Sequence, residues 1–387
     1  MSFSSVIGQE RVVGSLKKAI EGSRVAHAYV FYGPDGVGKR ATALAMAASL
    51  QCSSQAGGES CGQCGACHKS GKGIHPDTHI LMPTTTDPDL QDIGVRLQML
   101  AEDPYQRVDY RSRPSLDGKK GSTNKQIFYS IQHINLQLRK EMSFHRVEGN
   151  YRIAILLEAD MMRTDAANAF LKLLEEPGDR TVIILVTNRI DHLLPTILSR
   201  CQQIRFDPLN TVDVEKALLT RGIEAGQAKM LARMSDGSVG RALDLAGNED
   251  LLQTREQVLE FLRLSFRGKG NTVVSAVDAM SRPGREYAKF QLLVLLSLLR
   301  DLLIIRATGN TDLVVNVDQA EALIRFSSNL PDARLENMIE AVEKTAMLVE
   351  RNTNMRLALV ALSRVLNRSM KGEPDVQIAT DLLEISA

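Results

Sequence analysis

The 387-residue sequence predicts an α/β core with a parallel sheet, followed by an all-helical remainder. Residues 151–157 and 181–187 are almost continuously apolar, which is typical of strands in a parallel sheet that helices cover on both faces. A third such run, residues 25–32, leads directly into a glycine-rich loop and an alanine-rich helix at 39–50. After residue 212 the strand-like runs end and helical periodicity takes over. Together these observations favour an α/β core with a helical C-terminal part.

The core is predicted to span residues 1–208. Within it, residues 164–176 form a helix that the following Pro-Gly terminates. Residues 84–125 fit the core poorly, because they are loop-like in composition and such a long structureless stretch is unusual in a compact domain. We therefore expect an exposed insertion there. Its lysines and arginines either contact DNA or belong to a solvated loop, and the solvated loop is the simpler interpretation.

The remainder is predicted to form two helical parts. Residues 209–250 are expected to be a small lid of three helices, at 213–219, 225–234 and 239–245. Residues 251–387 are expected to be a separate all-helical domain with longer helices, at 256–264, 287–307, 318–329, 332–350 and 355–367. The apolar run 292–305 contains an Arg-Asp pair, so we interpret it as a buried helix and not as a membrane span.

Bulk composition excludes several classes of function. The formal net charge is +1, so no global positive field indicates nucleic-acid binding, and any DNA contact must be local or shared with partners. The N-terminus lacks the basic and apolar regions of a signal peptide, and we expect a cytoplasmic protein without membrane contact. Five cysteines in that compartment indicate metal binding or chemistry more than disulfides.

Residues 33–40, Gly-Pro-Asp-Gly-Val-Gly-Lys-Arg, match a phosphate-binding loop except at the last position. In the pattern G-x-x-x-x-G-K-[ST], backbone N–H groups surround the phosphates, Lys reaches the β- and γ-phosphates, and the final hydroxyl holds Mg²⁺. The cradle is present as Gly33, Gly36, Gly38 and Lys39. Arg40 stands in the hydroxyl position, and a guanidinium has no acceptor for a cation. The sequence predicts a degenerate nucleotide site, where ATP or ADP binding stays open and Mg²⁺ is not expected.

A second departure from the pattern of an active ATPase lies at the end of the strand at 151–157. An active ATPase of this kind presents Asp-Glu there, to hold Mg²⁺ and to polarise the attacking water. This chain has Leu157-Glu158, and leucine cannot ligate a metal. Either Glu158 takes the Glu position or Asp160 supplies a carboxylate in a register shifted by two residues. A capping or surface role for both acids is an equal alternative.

Three further positions are candidates for nucleotide contact. Thr187 and Asn188 end a strand, where they could lie beside a γ-phosphate or merely cap the strand. Arg200 follows a short helix and could reach a neighbour's γ-phosphate as an arginine finger, although most exposed arginines are only solvated. Arg241 begins the third lid helix, from which it could contact a phosphate.

Four cysteines, C-x8-C-x2-C-x2-C, have the spacing of a zinc site. A C-x2-C turn brings two sulfurs to one ion, and nearby glycines allow the tight turns. Four protein ligands leave no open position, so the Zn²⁺ is expected to be structural. The predicted ligands are Cys52, Cys61, Cys64 and Cys67.

The order of these motifs resembles the bacterial clamp-loader AAA+ proteins of DNA polymerase III, most closely the delta-prime subunits. The resemblance is strong over residues 1–245 and weaker over 250–387. It rests on Val6-Ile-Gly-Gln-Glu10, His27-Ala-Tyr, the phosphate loop, the four cysteines, His75-Pro-Asp77, the run 166–177 ending Leu-Leu-Glu-Glu-Pro, the run 194–201 ending Ser-Arg-Cys, Gly237-Ser-Val-Gly-Arg-Ala-Leu243, and the run 351–359.

The resemblance implies an AAA+ core with a zinc module, a three-helix lid, and a collar that assembles a five-subunit ring. It implies partners as well: gamma/tau and delta subunits, the sliding clamp, and primed DNA within the assembly. By position, Lys39 belongs to the phosphate loop, Thr187 and Asn188 to sensor 1, and Arg241 to sensor 2. Arg200 matches the arginine finger of the Ser-Arg-Cys motif.

The departures at Arg40 and Leu157 favour a subunit that has no independent ATPase activity and supplies Arg200 to a neighbouring active site. An alternative is a gamma/tau-like subunit that hydrolyses ATP with Glu158 and water completing the Mg²⁺ coordination. An alternative of another class is a zinc-dependent DNA-binding module outside the loader. Tight, salt-dependent DNA binding by the isolated chain would identify that module.

Overall fold

The computed structural model describes residues 2–85, 90–108, 110, 127–247, 251–268, 270–282, 284–316, 319–350 and 353–373. The chain divides into two compact units, one ending at Ala246 and the other beginning at Gly247. The first unit contains the α/β core together with the predicted lid. Helices alone make up the described part of the second unit.

The core is built on a five-stranded parallel sheet with strand order β2-β3-β4-β1-β5. The three apolar runs form its centre, as predicted. The two outer strands were not predicted, because they are only four residues long and carry polar, partly exposed side chains. The strands are β1 (Ala28–Tyr32), β2 (Thr78–Leu81), β3 (Arg152–Leu156), β4 (Thr181–Thr187) and β5 (Gln202–Arg205).

Helices cover both faces of the sheet, which explains why the central strands are apolar on both sides. Along β4, Ile184 faces one apolar cluster and Ile183 faces the other. The first cluster includes α1 (Glu10–Glu21), α2 (Lys39–Gln51) and part of α4 (Leu90–Glu102). The second includes α6 (Thr164–Glu175), α7 (Pro195–Leu198) and a π-helix, His133–Arg139, that continues into α5 (Lys140–Ser143). A short helix, α3 (Gly65–Gly71), follows the cysteine cluster.

The expectation of an exposed loop at 84–125 is wrong for the part that the structure describes. Thr84 pairs antiparallel with Phe128, and α4 fills much of the interval. Leu100 and Tyr105 are 1% and 2% exposed, so this stretch packs into the core. Turn-forming residues at both ends concealed the amphipathic helix between them. The predicted loops at 86–89 and 111–122 lie outside the described residues.

The three helices predicted for the lid are confirmed as α8 (Thr211–Leu219), α9 (Ala225–Met234) and α10 (Val239–Ala246). Gly237 has φ +77°, and a Cβ there would lie 2.5 Å from the carbonyl oxygen of Leu209. A glycine is therefore required where the lid returns to its own first segment.

The second unit has six helices among its described residues, and five of them were predicted. The sixth, α12, was missed because Gly270, Asn271 and a run of β-branched residues lower its helix propensity. The predicted buried helix at 292–305 lies within α13, and Leu295, Leu298 and Leu299 are fully buried. The helices are α11 (Leu251–Arg267), α12 (Gly270–Ser281), α13 (Arg285–Thr308), α14 (Ala320–Asn329), α15 (Leu335–Glu350) and α16 (Met355–Met370).

A buried polar network also lies in the second unit. The carboxylate of Asp301 accepts hydrogen bonds from the backbone N–H groups of Val315 and Asn316, each at 2.8 Å. The Asn316 side chain donates to Asp301 and accepts from Arg255, so one amide links these two charged side chains.

Among the described residues, none of the helices is long and apolar enough to cross a membrane.

Candidate nucleotide and metal sites

The phosphate loop joins β1 to α2, which is the context that its sequence pattern requires. Gly33, Gly36 and Gly38 all have positive φ angles, of 143°, 71° and 105°. A Cβ at Gly33 would lie 2.2 Å from the carbonyl oxygen of Phe206. The glycines therefore allow the loop conformation and let the chain after β5 pass directly against it.

Lys39 is buried and its ammonium group is bound within the protein. Nζ donates to the carbonyl oxygen of Gly33 at 2.7 Å, to Asn188 Oδ1 at 2.8 Å, and to the carbonyl oxygen of Pro34. An ammonium group has three donors, so these contacts use all of them. Burial lowers the pKa of Lys39 to about 8, against the opposing effect of the Asp35 and Glu158 carboxylates. The lysine that would contact phosphates is thus turned onto its own loop.

Arg40 is also buried, with 7% of its surface exposed. Its guanidinium lies 4.0 Å from the Asp35 carboxylate and beside the buried ring of Tyr110. Arg40 occupies the first turn of α2, where a Ser or Thr hydroxyl would face Mg²⁺. A fixed cation in this place opposes the binding of a divalent ion.

Glu158 and Asn188 complete the polar chain around Lys39. Asn188 Nδ2 donates to Glu158 Oε2 at 3.1 Å while its oxygen accepts from Lys39. Burial, and secondarily the charge of Asp35, raise the pKa of Glu158 to about 7. Of the two acids left open by the sequence, Glu158 is the one in the pocket.

Asp160 and Thr187 belong to a separate group of contacts. Thr187 Oγ1 donates to Asp160 Oδ1 at 2.8 Å, and Arg189 binds Asp160 Oδ2 at 2.8 Å. Neither Asp160 nor Thr187 lines the pocket; their contacts join the turn after β3 to the end of β4. Leu157 is buried in the core, with its N–H bonded to the carbonyl oxygen of Leu81.

The pocket at the phosphate loop is small. Its free cavity is about 10 Å³, close to the space needed for one water molecule. The insertion contributes two of its walls, Pro104 and Tyr105, which sequence reasoning missed because they carry no motif. The lining residues are Asp35, Gly36, Gly38, Lys39, Arg40, Pro104, Tyr105, Glu158, Val186 and Asn188.

Arg200 lies away from this pocket, directly after α7. Its side chain is 38% exposed, and its guanidinium binds Glu175 Oε1 at 2.9 Å and the carbonyl oxygen of Thr196 at 3.0 Å. Glu175 is the last residue of α6. The contact therefore ties Arg200 to a rigid element while leaving it at the surface. Burial raises the pKa of the neighbouring Cys201 to about 12, and this cysteine is separate from the metal cluster.

The side chain of Arg241 binds another residue of the lid. Its guanidinium binds Asp236 Oδ2 at 3.0 Å, and its backbone N–H donates to Ser238 Oγ at 3.1 Å. Arg241 does not line the pocket, although its helix, α10, touches the phosphate loop through Gly240, whose N–H donates to the carbonyl oxygen of Gly36.

The four predicted cysteine ligands are brought together. Their sulfurs all lie within 4.8 Å of one another, and the pairs Cys52–Cys64 and Cys61–Cys67 are 3.9 Å apart. A tetrahedral Zn²⁺ with Zn–S bonds of about 2.3 Å needs sulfurs about 3.8 Å apart. The cluster fits that geometry, and none of the four is in a disulfide.

Backbone N–H groups also donate hydrogen bonds to the cysteine sulfurs. The N–H groups of residues 61, 64 and 67 donate to the sulfurs of Cys52, Cys61 and Cys64, at 3.3 to 3.5 Å. A hydrogen bond from the Ser53 side chain is the main cause that lowers the pKa of Cys64 to about 5, whereas burial raises the pKa of Cys52 and raises that of Cys67 to about 12. Thiolates are the metal-binding form of cysteine, so these donors suit a metal site.

Comparison with protein families gives a match over most of the chain. Residues 8–210 match the family described as DNA polymerase III, delta subunit, and residues 249–367 match its C-terminal family. The chain belongs to the DNA polymerase III delta subunit family. Since these subunits are part of the clamp-loader family, the resemblance found in the sequence is confirmed.

Individual relatives agree with this family. The chain is 28% identical to DNA polymerase III subunit delta' of Bacillus subtilis, over 90% of this chain and 93% of the relative. It is 33% identical to the delta' subunit of Pseudomonas aeruginosa, over 61% of this chain and 60% of the relative. It is also 25% identical to the tau subunit of Bacillus subtilis, over 97% of this chain and 64% of the relative.

Proposed function

We propose that this chain is a delta-prime-like clamp-loader subunit with an AAA+ core, which does not hydrolyse ATP and supplies Arg200 to a neighbouring subunit. It acts in a five-subunit ring with gamma/tau and delta subunits, which places the sliding clamp on primed DNA in the cytoplasm. The observation that carries the proposal is a contrast between two cations. Arg40 is buried in the chain's own phosphate loop, whereas Arg200 is held at the surface.

The contrast matters because the two arginines have opposite effects on phosphoryl transfer. A cation in place of the Mg²⁺-binding hydroxyl removes a metal ligand, and Leu157 removes the second one. A surface arginine that reaches a neighbour's γ-phosphate stabilises charge in the transition state. One chain therefore loses its own chemistry and assists that of its partner.

The test is the ATPase rate of the assembled loader with Arg200→Ala in this chain. We expect hydrolysis at the one site that Arg200 serves to fall by about 10³-fold or more, as for other arginine fingers, and the total rate to fall by the share of that site. Arg205→Ala is the matched control, because Arg205 is also exposed, lies five residues away, and is paired with Asp207 at 3.0 Å. An unchanged rate with Arg200→Ala, in a loader that still assembles, would refute the proposed role.

A gamma/tau-like ATPase remains the second candidate, since Lys39, Asn188 and Glu158 still meet in one pocket. Steady ATP hydrolysis by the purified chain, abolished by Lys39→Met, would support it. We also propose that the cysteine cluster holds a structural Zn²⁺, because its four sulfurs fit a closed tetrahedral site.

A further inference from the structure

Residues 103–108, which we call the cleft segment, lie against the phosphate loop. Tyr105 is 2% exposed and its ring lines the pocket beside Gly38. A Cβ at Gly38 would lie 3.0 Å from Tyr105 Oη, so the phenol packs directly on the glycine backbone. In a phosphate loop this backbone surface is where a nucleotide would approach.

The cleft segment is fixed by polar contacts at both ends of the tyrosine. Tyr105 Oη accepts a hydrogen bond from the backbone N–H of Ile7 at 2.8 Å. Tyr105 N donates to Asp103 Oδ1 at 2.9 Å, and Asp103 in turn binds the Arg221 guanidinium at 3.2 Å. Arg221 also lies over the Tyr105 ring, 5.7 Å from its centre. These contacts join the N-terminal segment, the cleft segment and the lid.

The lid also contacts the phosphate loop and the cleft segment, through Gly240. Gly240 N donates to the carbonyl oxygen of Gly36 at 3.3 Å. A Cβ at Gly240 would lie 3.0 Å from both Gly36 Cα and the carbonyl oxygen of Tyr105. Arg107 adds an exposed ion pair with Asp244 at 3.6 Å. The lid thus packs on the phosphate loop and on the cleft segment together.

We propose that the cleft segment is an internal plug, which occupies the nucleotide cleft and joins the lid to the core in place of a bound nucleotide. This goes beyond the proposed function, which requires only that hydrolysis is lost. It assigns a role to the insertion, whose Pro104 and Tyr105 line the pocket together with Lys39. The position of the lid on the core is then independent of ATP and ADP.

The first test uses the unmodified full-length chain, so it does not depend on any variant folding. A fluorescent ATP analogue with Mg²⁺ is titrated to millimolar concentration, and the melting temperature is measured with and without ATP and ADP. We expect no saturable binding and no shift in melting temperature. Saturable binding anywhere in that concentration range would overturn the proposal.

The second test is hydrogen exchange in the lid helices, residues 211–246, of Tyr105→Ala. Exchange there is expected to rise by at least about tenfold, since local opening replaces the lost aromatic contact. Tyr287→Ala is the matched control, because Tyr287 is tied in a similar way, to Thr254 at 2.6 Å, but in the second unit. It should raise exchange in the second unit alone.

Unchanged lid exchange in Tyr105→Ala would overturn the proposal. If that variant fails to fold, Arg221→Ala replaces it, because Arg221 is partly exposed and its loss removes the lid's ion pair and ring contact together with one hydrogen bond to the carbonyl oxygen of Ala217. The expected result is a smaller rise in lid exchange with normal exchange in the second unit. None of these readouts depends on Arg200, so the plug and the arginine finger can fail separately.

Discussion

The cysteine cluster and the phosphate loop are both clear motifs in the sequence, but the structure treats them differently. The four cysteines meet at distances that suit one Zn²⁺. The phosphate loop keeps its glycines and lysine, yet its pocket is small and lined by Tyr105, its lysine is hydrogen-bonded within the protein, and Arg40 stands in the position of the metal-binding hydroxyl. A complete motif predicts the local geometry, whereas the neighbours of the motif determine whether its site is open.

The largest difference between the cysteine cluster and the phosphate loop is expected in stability, when the metal of the cluster is lost. Replacing Cys64 with Ser should abolish stoichiometric Zn²⁺ and destabilise the first unit by on the order of 5 kcal/mol, since metal binding is coupled to local folding. Metal analysis and hydrogen exchange over residues 52–71 would measure this. Cys201→Ser is the control, because Cys201 lies outside the cluster, and it should retain full Zn²⁺. Normal folding of the Cys64 variant without metal would contradict a structural role.

An intermediate effect on the free energy of unfolding is expected from substitution of Glu158, whose pKa is raised to about 7. An acid with a raised pKa keeps its proton in the folded state, so stability falls as pH rises from about 4.5 to about 7. Glu158→Gln cannot titrate, and we expect it to be about 1–3 kcal/mol more stable than the native chain above pH 7, allowing for partial exposure. Urea unfolding at pH 4.5 and pH 8 would measure the difference. Equal pH dependence in the two proteins would show that Glu158 ionises normally.

The smallest effect on stability is expected from Glu175→Gln, because a half-exposed ion pair contributes about 0.2–1 kcal/mol. If Glu175 positions Arg200, the assembled loader should nevertheless lose ATPase activity several-fold. Glu176→Gln is the adjacent control, since the ion pair of Arg200 is with Glu175. A loader with full activity would show that Arg200 needs no support from α6.

Much of the fold was predictable because its signals are local. The central strands are marked by continuous apolar runs, and the cysteine ligands lie within sixteen residues, where turn chemistry alone brings them together. The edge strands and α12 were missed since polar exposure and β-branched residues mask them. The sequence also left Glu158 and Asp160 equivalent, and only the structure separates them.

The lining of the small pocket could not be predicted, because it depends on residues far apart in the chain. Tyr105 reaches the loop at Gly38, and Ile7 fixes its hydroxyl. Tyr105 belongs to no motif, and Ile7 contributes only its backbone N–H. Composition suggested a solvated loop for the surrounding stretch, which is the opposite of what its described part does.

The most direct measurement compares two substitutions in this chain within the same assembled loader. Lys39→Met disables the chain's own phosphate loop, and Arg200→Ala removes the proposed finger. The account predicts that Lys39→Met leaves the ATPase rate of the loader essentially unchanged, while Arg200→Ala lowers hydrolysis at the neighbouring site by about 10³-fold or more and the total rate with it. A large loss with Lys39→Met and none with Arg200→Ala would contradict the account, since the chain would then be using its own site and lending nothing to its neighbour.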